Sequence, residues 1–199
     1  AGLRLALVAG FALVWLQIAL GGWVSTNYAV LACPDFPTCH GQWLPPMNWQ
    51  GFAILRELGM TSDGQLMPFS ALVGIHFVHR SAAWLVLTVL VAVGLRLRVT
   101  PGFKRAGNTL LALSFLQLLT GLSNVVLGWP MLSAVLHTAG AAAIVVVLTW
   151  ALSISRGGRS IDPRNDNSKL VTHAVQGNPS SVQASHPPDS QAFSTHSSD

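Results

Sequence analysis

Long apolar stretches separated by polar segments dominate the first three quarters of the chain. Four of them are long enough to cross about 30 Å of hydrocarbon, which takes about 20 residues of α-helix. They cover residues 5–24, 71–95, 107–127 and 131–154, and Arg80 is the single formal charge inside them. The pattern predicts an all-α integral membrane protein, a four-helix bundle that runs up, down, up and down.

Charged residues are few and unevenly placed along this path. Only 9% of the 199 residues are charged, against about 25% in soluble domains. Basic residues close to membrane-spanning helices stay on the cytoplasmic side. Both ends of the bundle are therefore expected in the cytoplasm, and the loop 25–70 outside it. The basic residues on the cytoplasmic side of the path are Arg4, Arg96, Arg98, Lys104, Arg105, Arg156 and Arg159.

The composition of the chain changes at about residue 157. Ser, Asn, Asp, Pro, Gln and His dominate from there on, and such a segment cannot bury enough apolar surface to offset its ordering entropy. Residues 1–156 are thus expected to form one transmembrane domain, and residues 157–199 a disordered cytoplasmic tail. Because the chain begins without Met and runs directly into an apolar stretch, we expect further sequence upstream.

The two cysteines lie close together in the long loop, in Ala-Cys-Pro-Asp-Phe-Pro-Thr-Cys-His-Gly-Gln-Trp. Outside the cytoplasm the compartment is oxidising, so Cys33 and Cys39 are expected to form a disulfide. The bridge could be a structural staple or a redox-active pair, since strained bridges are the more reducible ones. Zinc is not expected, because His40 is the one nearby third ligand and a structural zinc site takes four.

Two histidines lie at similar depth in separate predicted helices. Ionisable residues inside a bilayer are costly and usually functional. An α-helix rises 1.5 Å per residue along its axis. His79 is therefore about 12 Å, and His137 about 9 Å, from the helix ends on the loop 25–70 side of the bundle. Small residues follow both histidines, which leaves room for a flat macrocycle. The pair is therefore predicted to supply the two axial ligands of a haem iron; the alternative is that each histidine only bonds a neighbouring helix.

Other polar residues of these helices are predicted to surround the haem. His76 lies one turn from His79 and could contact the haem edge, relay a proton or replace a ligand. Arg80 needs an anion or carbonyl groups, with a haem propionate as a partner, unless it extends to the membrane surface. A small and polar stripe on the third helix is predicted to face the bundle interior, with Gln117 and Asn124 contacting the cofactor; it comprises Gln117, Thr120, Gly121 and Asn124.

Short patterns recur in the two halves of the bundle. Leu16-Gln17-x-x-x-Gly21 matches Leu116-Gln117-x-x-x-Gly121, and Val78-His79-Arg80-Ser81-Ala82 matches Leu136-His137-Thr138-Ala139-Gly140. These matches indicate a repeated helix pair, with the long loop inserted in the first copy. A pseudo-twofold axis along the membrane normal would explain why both histidines lie at equal depth.

Five segments, taken in order, resemble a known family. Together they resemble haem A synthase, and more narrowly the C-terminal four-helix half of its proteobacterial form, over residues 10–150. The tail has no counterpart in this resemblance. The segments are Gly21-Gly22-Trp23-Val24-Ser25-Thr26-Asn27-Tyr28, Cys-Pro-Asp-Phe-Pro-Thr-Cys-His-Gly-Gln-Trp, Ile75-His76-Phe77-Val78-His79-Arg80, Gly121-Leu122-Ser123-Asn124-Val125-Val126-Leu127 and Ala134-Val135-Leu136-His137.

This resemblance implies an eight-helix protein of two similar halves that oxidises a methyl group of haem O to a formyl group. The C-terminal half in that family holds a haem b cofactor, so the resemblance implies that His79 and His137 are its axial ligands here. It also implies the Cys33–Cys39 disulfide. In the substrate half of that family a carboxylate lies one turn before a histidine. At the position of that carboxylate, one turn before His79, this chain has His76. The chain is therefore expected to be the cofactor half.

The expected partners follow from the same resemblance. They are haem O, membrane lipid, a missing N-terminal half or a second copy, haem O synthase and an extracytoplasmic thiol–disulfide partner; nucleic acid is not among them. The expected location is the bacterial inner membrane. Two alternatives remain, a four-helix membrane cytochrome b that carries electrons and a disulfide-generating quinone reductase. The latter normally relays through a second cysteine pair, and this chain has two Cys in all.

Overall fold

A computed structural model describes residues 2–157, which contain four long α-helices. They are α1 (Gly2–Thr26), α2 (Phe69–Val99), α3 (Lys104–Val126) and α4 (Met131–Gly157). Each is long and apolar enough to cross a membrane. The prediction of an all-helical protein with four helices long and apolar enough to span a membrane is confirmed for the described residues. The tail predicted for residues 157–199 lies outside the described residues, except for Gly157 at the end of α4.

The connection between α2 and α3 is shorter than predicted. Arg96 and Arg98 were expected in this connection, but both lie in the last turn of α2. The helix continues because Leu97 is fully buried and because basic side chains interact favourably with the C-terminal end of a helix dipole. Lys104 likewise begins α3. The prediction was wrong here because charge was used to mark the helix end, although helices carry basic residues in their last turns.

The four helices contact one another in a ring. Each helix contacts the next in the chain, and α1 also contacts α4. All four contribute to one buried apolar cluster, which includes Leu7, Val14, Val86, Leu90, Val93, Leu97, Leu110, Ile144, Leu148 and Ala151. Large apolar side chains also cover the outer surface of the helices, as expected where lipid rather than water surrounds them.

Two glycines bring α2 and α3 into close contact. A Cβ atom on Gly107 would lie 2.7 Å from the backbone nitrogen of Arg98 and 2.7 Å from the carbonyl oxygen of Gly94. A Cβ atom on Gly94 would lie 2.8 Å from the side chain of Leu111. Small residues allow such backbone approach in membrane helix pairs, so this crossing requires glycine.

The long loop between α1 and α2 packs against the ends of these helices. Cys33 and Cys39 are buried there in a second apolar cluster with residues of both helices. The indole nitrogen of Trp23 donates a hydrogen bond to the carbonyl of Gly51 over 2.9 Å. Arg56 donates to that same carbonyl, and its guanidinium lies 5.6 Å from the Trp23 ring centre. Charge counting alone did not predict this role of Arg56.

Replacing Gly107 by alanine is expected to destabilise the bundle. The added methyl group would force α2 and α3 apart, at a cost of about 1–3 kcal/mol for overpacking. Thermal unfolding in detergent measures the effect as a lower Tm. The matched control is Gly22→Ala on α1, where a Cβ atom meets nothing within 4 Å. Equal melting of Gly107→Ala and Gly22→Ala would contradict the close crossing.

Candidate functional site

A cavity of about 450 Å³ lies within the bundle and is lined by residues of all four helices. Its size falls within the range of about 300–1,000 Å³ that is typical of ligand sites. Most of its wall is apolar, with Val14, Leu90 and Ile144 among the lining residues. All six predicted site residues of the helices line this one cavity, namely His76, His79, Arg80, Gln117, Asn124 and His137.

His137 is held by two side chains of α3. The amide nitrogen of Gln117 donates to the carbonyl oxygen of His137 over 2.8 Å, and the hydroxyl oxygen of Thr120 lies 2.9 Å from Nδ1. That hydroxyl also lies 2.8 Å from the carbonyl oxygen of Leu116, to which it donates. The Thr120 oxygen therefore accepts the Nδ1 proton, and this network assigns neutral His137 a free Nε2 lone pair.

His79 is held by a single side chain of α1. The amide nitrogen of Gln17 lies 3.1 Å from the His79 carbonyl oxygen, 3.1 Å from Nδ1 and 3.5 Å from Nε2. Because this nitrogen is almost equally far from both ring nitrogens, it lies over the face of the imidazole and is not an in-line hydrogen-bond donor to Nδ1. The two histidines thus differ in their ring contacts, because Nδ1 of His137 faces a hydroxyl whereas the ring face of His79 meets an amide nitrogen. In both, the backbone carbonyl accepts a bond from a glutamine one helix away.

Glycines lie against both imidazole rings. A Cβ atom on Gly21 would lie 3.2 Å from Cε1 of His79, and a Cβ atom on Gly121 would lie 3.2 Å from Cε1 of His137. The repeated Gln-x-x-x-Gly pattern therefore corresponds to a repeated arrangement, in which the glutamine bonds the histidine carbonyl and the glycine makes room for the ring.

His76 and Arg80 join α2 to the cysteine loop. Nδ1 of the buried His76 accepts a hydrogen bond from the backbone N–H of Cys33 over 3.2 Å. Arg80 donates to the carbonyl oxygens of Cys33, Pro37 and Thr38 over distances of 3.2 to 3.5 Å. Of the partners predicted for Arg80, the structure provides loop carbonyls. A contact with a haem propionate stays a prediction.

The segment between the cysteines is organised by one carboxylate. Cys33 and Cys39 are paired through their Sγ atoms, with their Cα atoms 4.8 Å apart. Asp35 accepts hydrogen bonds from the hydroxyl of Thr38 over 2.5 Å, from the N–H of His40 over 2.6 Å and from the N–H of Gly41 over 2.9 Å. These bonds, chiefly that from the Thr38 hydroxyl, hold the pKa of Asp35 well below its usual range.

Two buried polar atoms of cavity-lining residues lack a hydrogen-bond partner among the described residues. They are Oε1 of Gln17 and Oδ1 of Asn124. Such atoms are costly inside a membrane, and they are typical of a site built to bind a polar group. Within residues 2–157, no three His, Cys, Asp or Glu side chains come together as a metal site.

Sequence reasoning did not commit to Gln17 and Thr120 as site residues, although both contact a cavity histidine. The signal for Gln17 was present in the repeated Leu-Gln-x-x-x-Gly pattern. Thr120 belonged to the polar stripe of α3 and is buried. Neither hydrogen bond could be assigned without the relative rotation of neighbouring helices.

Comparison with known proteins adds to this geometry. Residues 1–149 match the COX15-CtaA family, described as cytochrome oxidase assembly protein. A protein of Shewanella oneidensis named heme A synthase is 36% identical over 72% of this chain and 44% of its own length. A protein of the same name from Methylobacterium radiotolerans is 30% identical over 76% of this chain and 40% of its own. The chain thus spans less than half the length of these relatives. No solved structure matches it.

Replacing Asp35 by asparagine is expected to loosen the cysteine segment at neutral pH. Because folding lowers the pKa of Asp35, the carboxylate stabilises this segment above its unfolded pKa of about 3.9. That contribution is lost as the pH falls through the lower folded pKa. Hydrogen exchange by mass spectrometry should find faster exchange of the His40 and Gly41 amides in the variant than in the wild type at pH 7, with the difference shrinking in acid.

The control for this measurement is Asp63→Asn, which changes an exposed carboxylate of the same loop. It should leave the exchange of the His40 and Gly41 amides unchanged at every pH. Equal protection of these amides in Asp35→Asn and wild type at pH 7 would contradict the role of the carboxylate.

Proposed function

The chain belongs to the COX15-CtaA family, and from that premise we propose that it is the haem b-binding half of a haem A synthase. The observation that carries the proposal is the placement of His79 and His137 on one largely apolar cavity, each positioned by a glutamine of the neighbouring helix. Bundles build haem sites from side chains on facing helices. His79 and His137 would be the axial ligands of the iron.

The residues present fit a haem better than a bare metal ion. A protein-bound zinc ion takes three or four protein ligands, whereas a haem iron needs one or two beyond its porphyrin. The cavity offers a pair of histidines, together with glycines and a mostly apolar wall against which a flat macrocycle can lie. The unpaired oxygens of Gln17 and Asn124 would bond the cofactor or water beside it.

A bound haem supplies electron-transfer and oxygen chemistry, and the protein supplies ligation, orientation and a closed site. In this chain Thr120 and Gln117 hold His137, and Gln17 holds His79. The apolar residues of the cavity wall exclude water. Arg80 and His76 connect the second helix to the cysteine loop, and Arg80 lines the cavity, where it could also bond a haem propionate.

The activity of the whole protein is proposed from the named relatives. They are called heme A synthase and are more than twice as long as the matched region. We propose that haem O is the substrate and that its methyl group is oxidised to a formyl group. The substrate site would lie in a missing N-terminal half or in a second copy. The four helices of this chain contain no Asp or Glu, so it lacks the carboxylate that the family uses beside its substrate.

The membrane arrangement is proposed from the charge pattern. Both ends of the bundle would lie in the cytoplasm, the helices would run up, down, up and down, and the loop with Cys33 and Cys39 would face outward. The proposed location is a bacterial inner membrane. A disulfide on the outer side could stabilise the loop, or it could exchange with a thiol–disulfide partner. A haem O synthase would deliver the substrate.

The second candidate is a four-helix cytochrome b that only carries electrons. The lack of Asp and Glu in the four helices favours this candidate. Electron transfer through a haem needs two axial ligands but no acid or base. The quinone reductase alternative is not favoured, since the chain has one cysteine pair.

A reduced-minus-oxidised optical spectrum of the purified protein tests haem ligation. We expect a bis-histidine haem signal in the wild type and its loss in both His79→Ala and His137→Ala. The control is His40→Ala, since the ring of His40 lies outside the cavity with Nε2 2.8 Å from the carbonyl oxygen of Ala32. A folded wild-type protein that binds no haem would refute both candidates.

Conversion of haem O to haem A separates the two candidates. The chain would be co-expressed with the upstream half of a relative in cells that make haem O, and the haems extracted and identified by mass. Haem A formation that depends on His79 and His137 supports the synthase. Full haem loading without haem A would favour the electron carrier.

A further inference from the structure

We propose that the two histidines hold the haem unequally, with His137 as the firm axial ligand and His79 as the replaceable one. This inference rests on the proposed haem site and deepens it. It follows from the different partners of the two rings, since Nδ1 contacts a hydroxyl in His137 and an amide nitrogen lies over the ring face in His79. A second-shell partner at Nδ1 fixes the tautomer and the basicity of a ligating histidine.

His137 is already in the tautomer that a haem ligand requires. Its Nδ1–H donates to Thr120 over 2.9 Å, and the Thr120 proton is committed to the carbonyl of Leu116. Thr120 is only 6% exposed, so water does not compete for this bond. Nε2 of His137, a residue of the cavity wall, would therefore be free to bind iron.

His79 has no such partner on its ring. The amide nitrogen of Gln17 lies over the ring face, 3.1 Å from Nδ1 and 3.5 Å from Nε2, and donates to the His79 carbonyl over 3.1 Å. Among the described residues none accepts a proton from Nδ1 of His79. Ligation through Nε2 of His79 would therefore lack the supporting bond that Thr120 gives to His137.

The repeated pattern identifies the residue that makes the difference. Thr120 lies three residues after Gln117 and one before Gly121, and Leu20 occupies this position between Gln17 and Gly21. The first helix pair thus lacks the hydroxyl that holds the histidine of the second pair. Thr120 and Gln17 are positioning residues in this proposal. A hydroxyl in place of Leu20 would give the ring of His79 the kind of partner that Thr120 gives to His137.

Carbon monoxide is the probe for a replaceable ligand, because it binds ferrous haem only where an axial ligand can leave. Carbon monoxide would take the place of Nε2 of His79, and the imidazole would be released neutral. This would be a ligand exchange, with no electron transferred and no proton gained or lost overall.

The first experiment compares haem retention in His79→Ala and His137→Ala after purification in detergent. We expect His79→Ala to keep haem on the single ligand His137 and to bind carbon monoxide fully. We expect His137→Ala to lose haem about 10-fold more readily, since second-shell effects on metal affinity are about 10- to 100-fold. Equal retention, or better retention in His137→Ala, would overturn the proposal. A wild-type protein without haem would overturn it together with the proposed function.

The second experiment changes the hydroxyl and leaves both histidines in place. Leu20→Thr should lower the carbon monoxide affinity of the reduced protein about 10-fold, and Thr120→Val should raise it by a similar factor. Thr120→Ser should behave like the wild type because it keeps the hydroxyl. The matched control is Thr149→Val, whose exposed hydroxyl bonds only the Val145 carbonyl and lies outside the cavity.

The outcomes separate a positioning role from a general effect on stability. If Thr120→Ser binds carbon monoxide like Thr120→Val, or if Leu20→Thr changes the affinity by less than about twofold, the hydroxyl does not set the ligand strength and the proposal fails. Thermal unfolding checks that each variant is folded. Should Leu20→Thr fail to accumulate, the contrast between Thr120→Val and Thr120→Ser decides the question.

Discussion

Polar groups inside this bundle depend on one constraint, which is that a bilayer offers them no water to bond. His79 and His137 must find their partners on a neighbouring helix, and each does so through a glutamine one helix away. These bonds connect α1 with α2 and α3 with α4 at the level of the cavity. The same constraint explains the glycines against the rings, because a larger side chain would keep the helices too far apart for the bonds to form.

The second helix combines two tasks over little more than one turn. His79 faces the cavity, whereas His76 and Arg80 bond the backbone of the cysteine loop. The loop is therefore attached to the helix that carries one of the proposed haem ligands. Asp35 and Arg56 organise the rest of the loop through bonds to backbone groups. A change in the loop would be transmitted to α2 by short, direct contacts rather than through the apolar core.

Similar sequence patterns in the two helix pairs produce similar but not identical sites. Both pairs place a glutamine on the histidine carbonyl and a glycine against the ring. They differ at the position just before the glycine, where Thr120 contacts the ring of His137 and the first pair has Leu20. A hydroxyl can accept the proton of a ring N–H, whereas an amide nitrogen only donates, so this difference gives the ring of His137 a supporting bond that the ring of His79 lacks among the described residues.

Local properties of the sequence were sufficient for the four helices and for six polar residues that are among those lining the cavity. Hydropathy determines helices in a membrane because every backbone group must be bonded within its own segment, and depth follows from a fixed rise per residue. The helix ends at Arg96 and Lys104 were misplaced, because charge is compatible with a helix terminus as well as a loop. What only the tertiary structure decided was the partner of each polar group: Arg80 with loop carbonyls, His76 with Cys33, and Thr120 with His137. Those pairings depend on the rotation and separation of neighbouring helices, which no local pattern specifies.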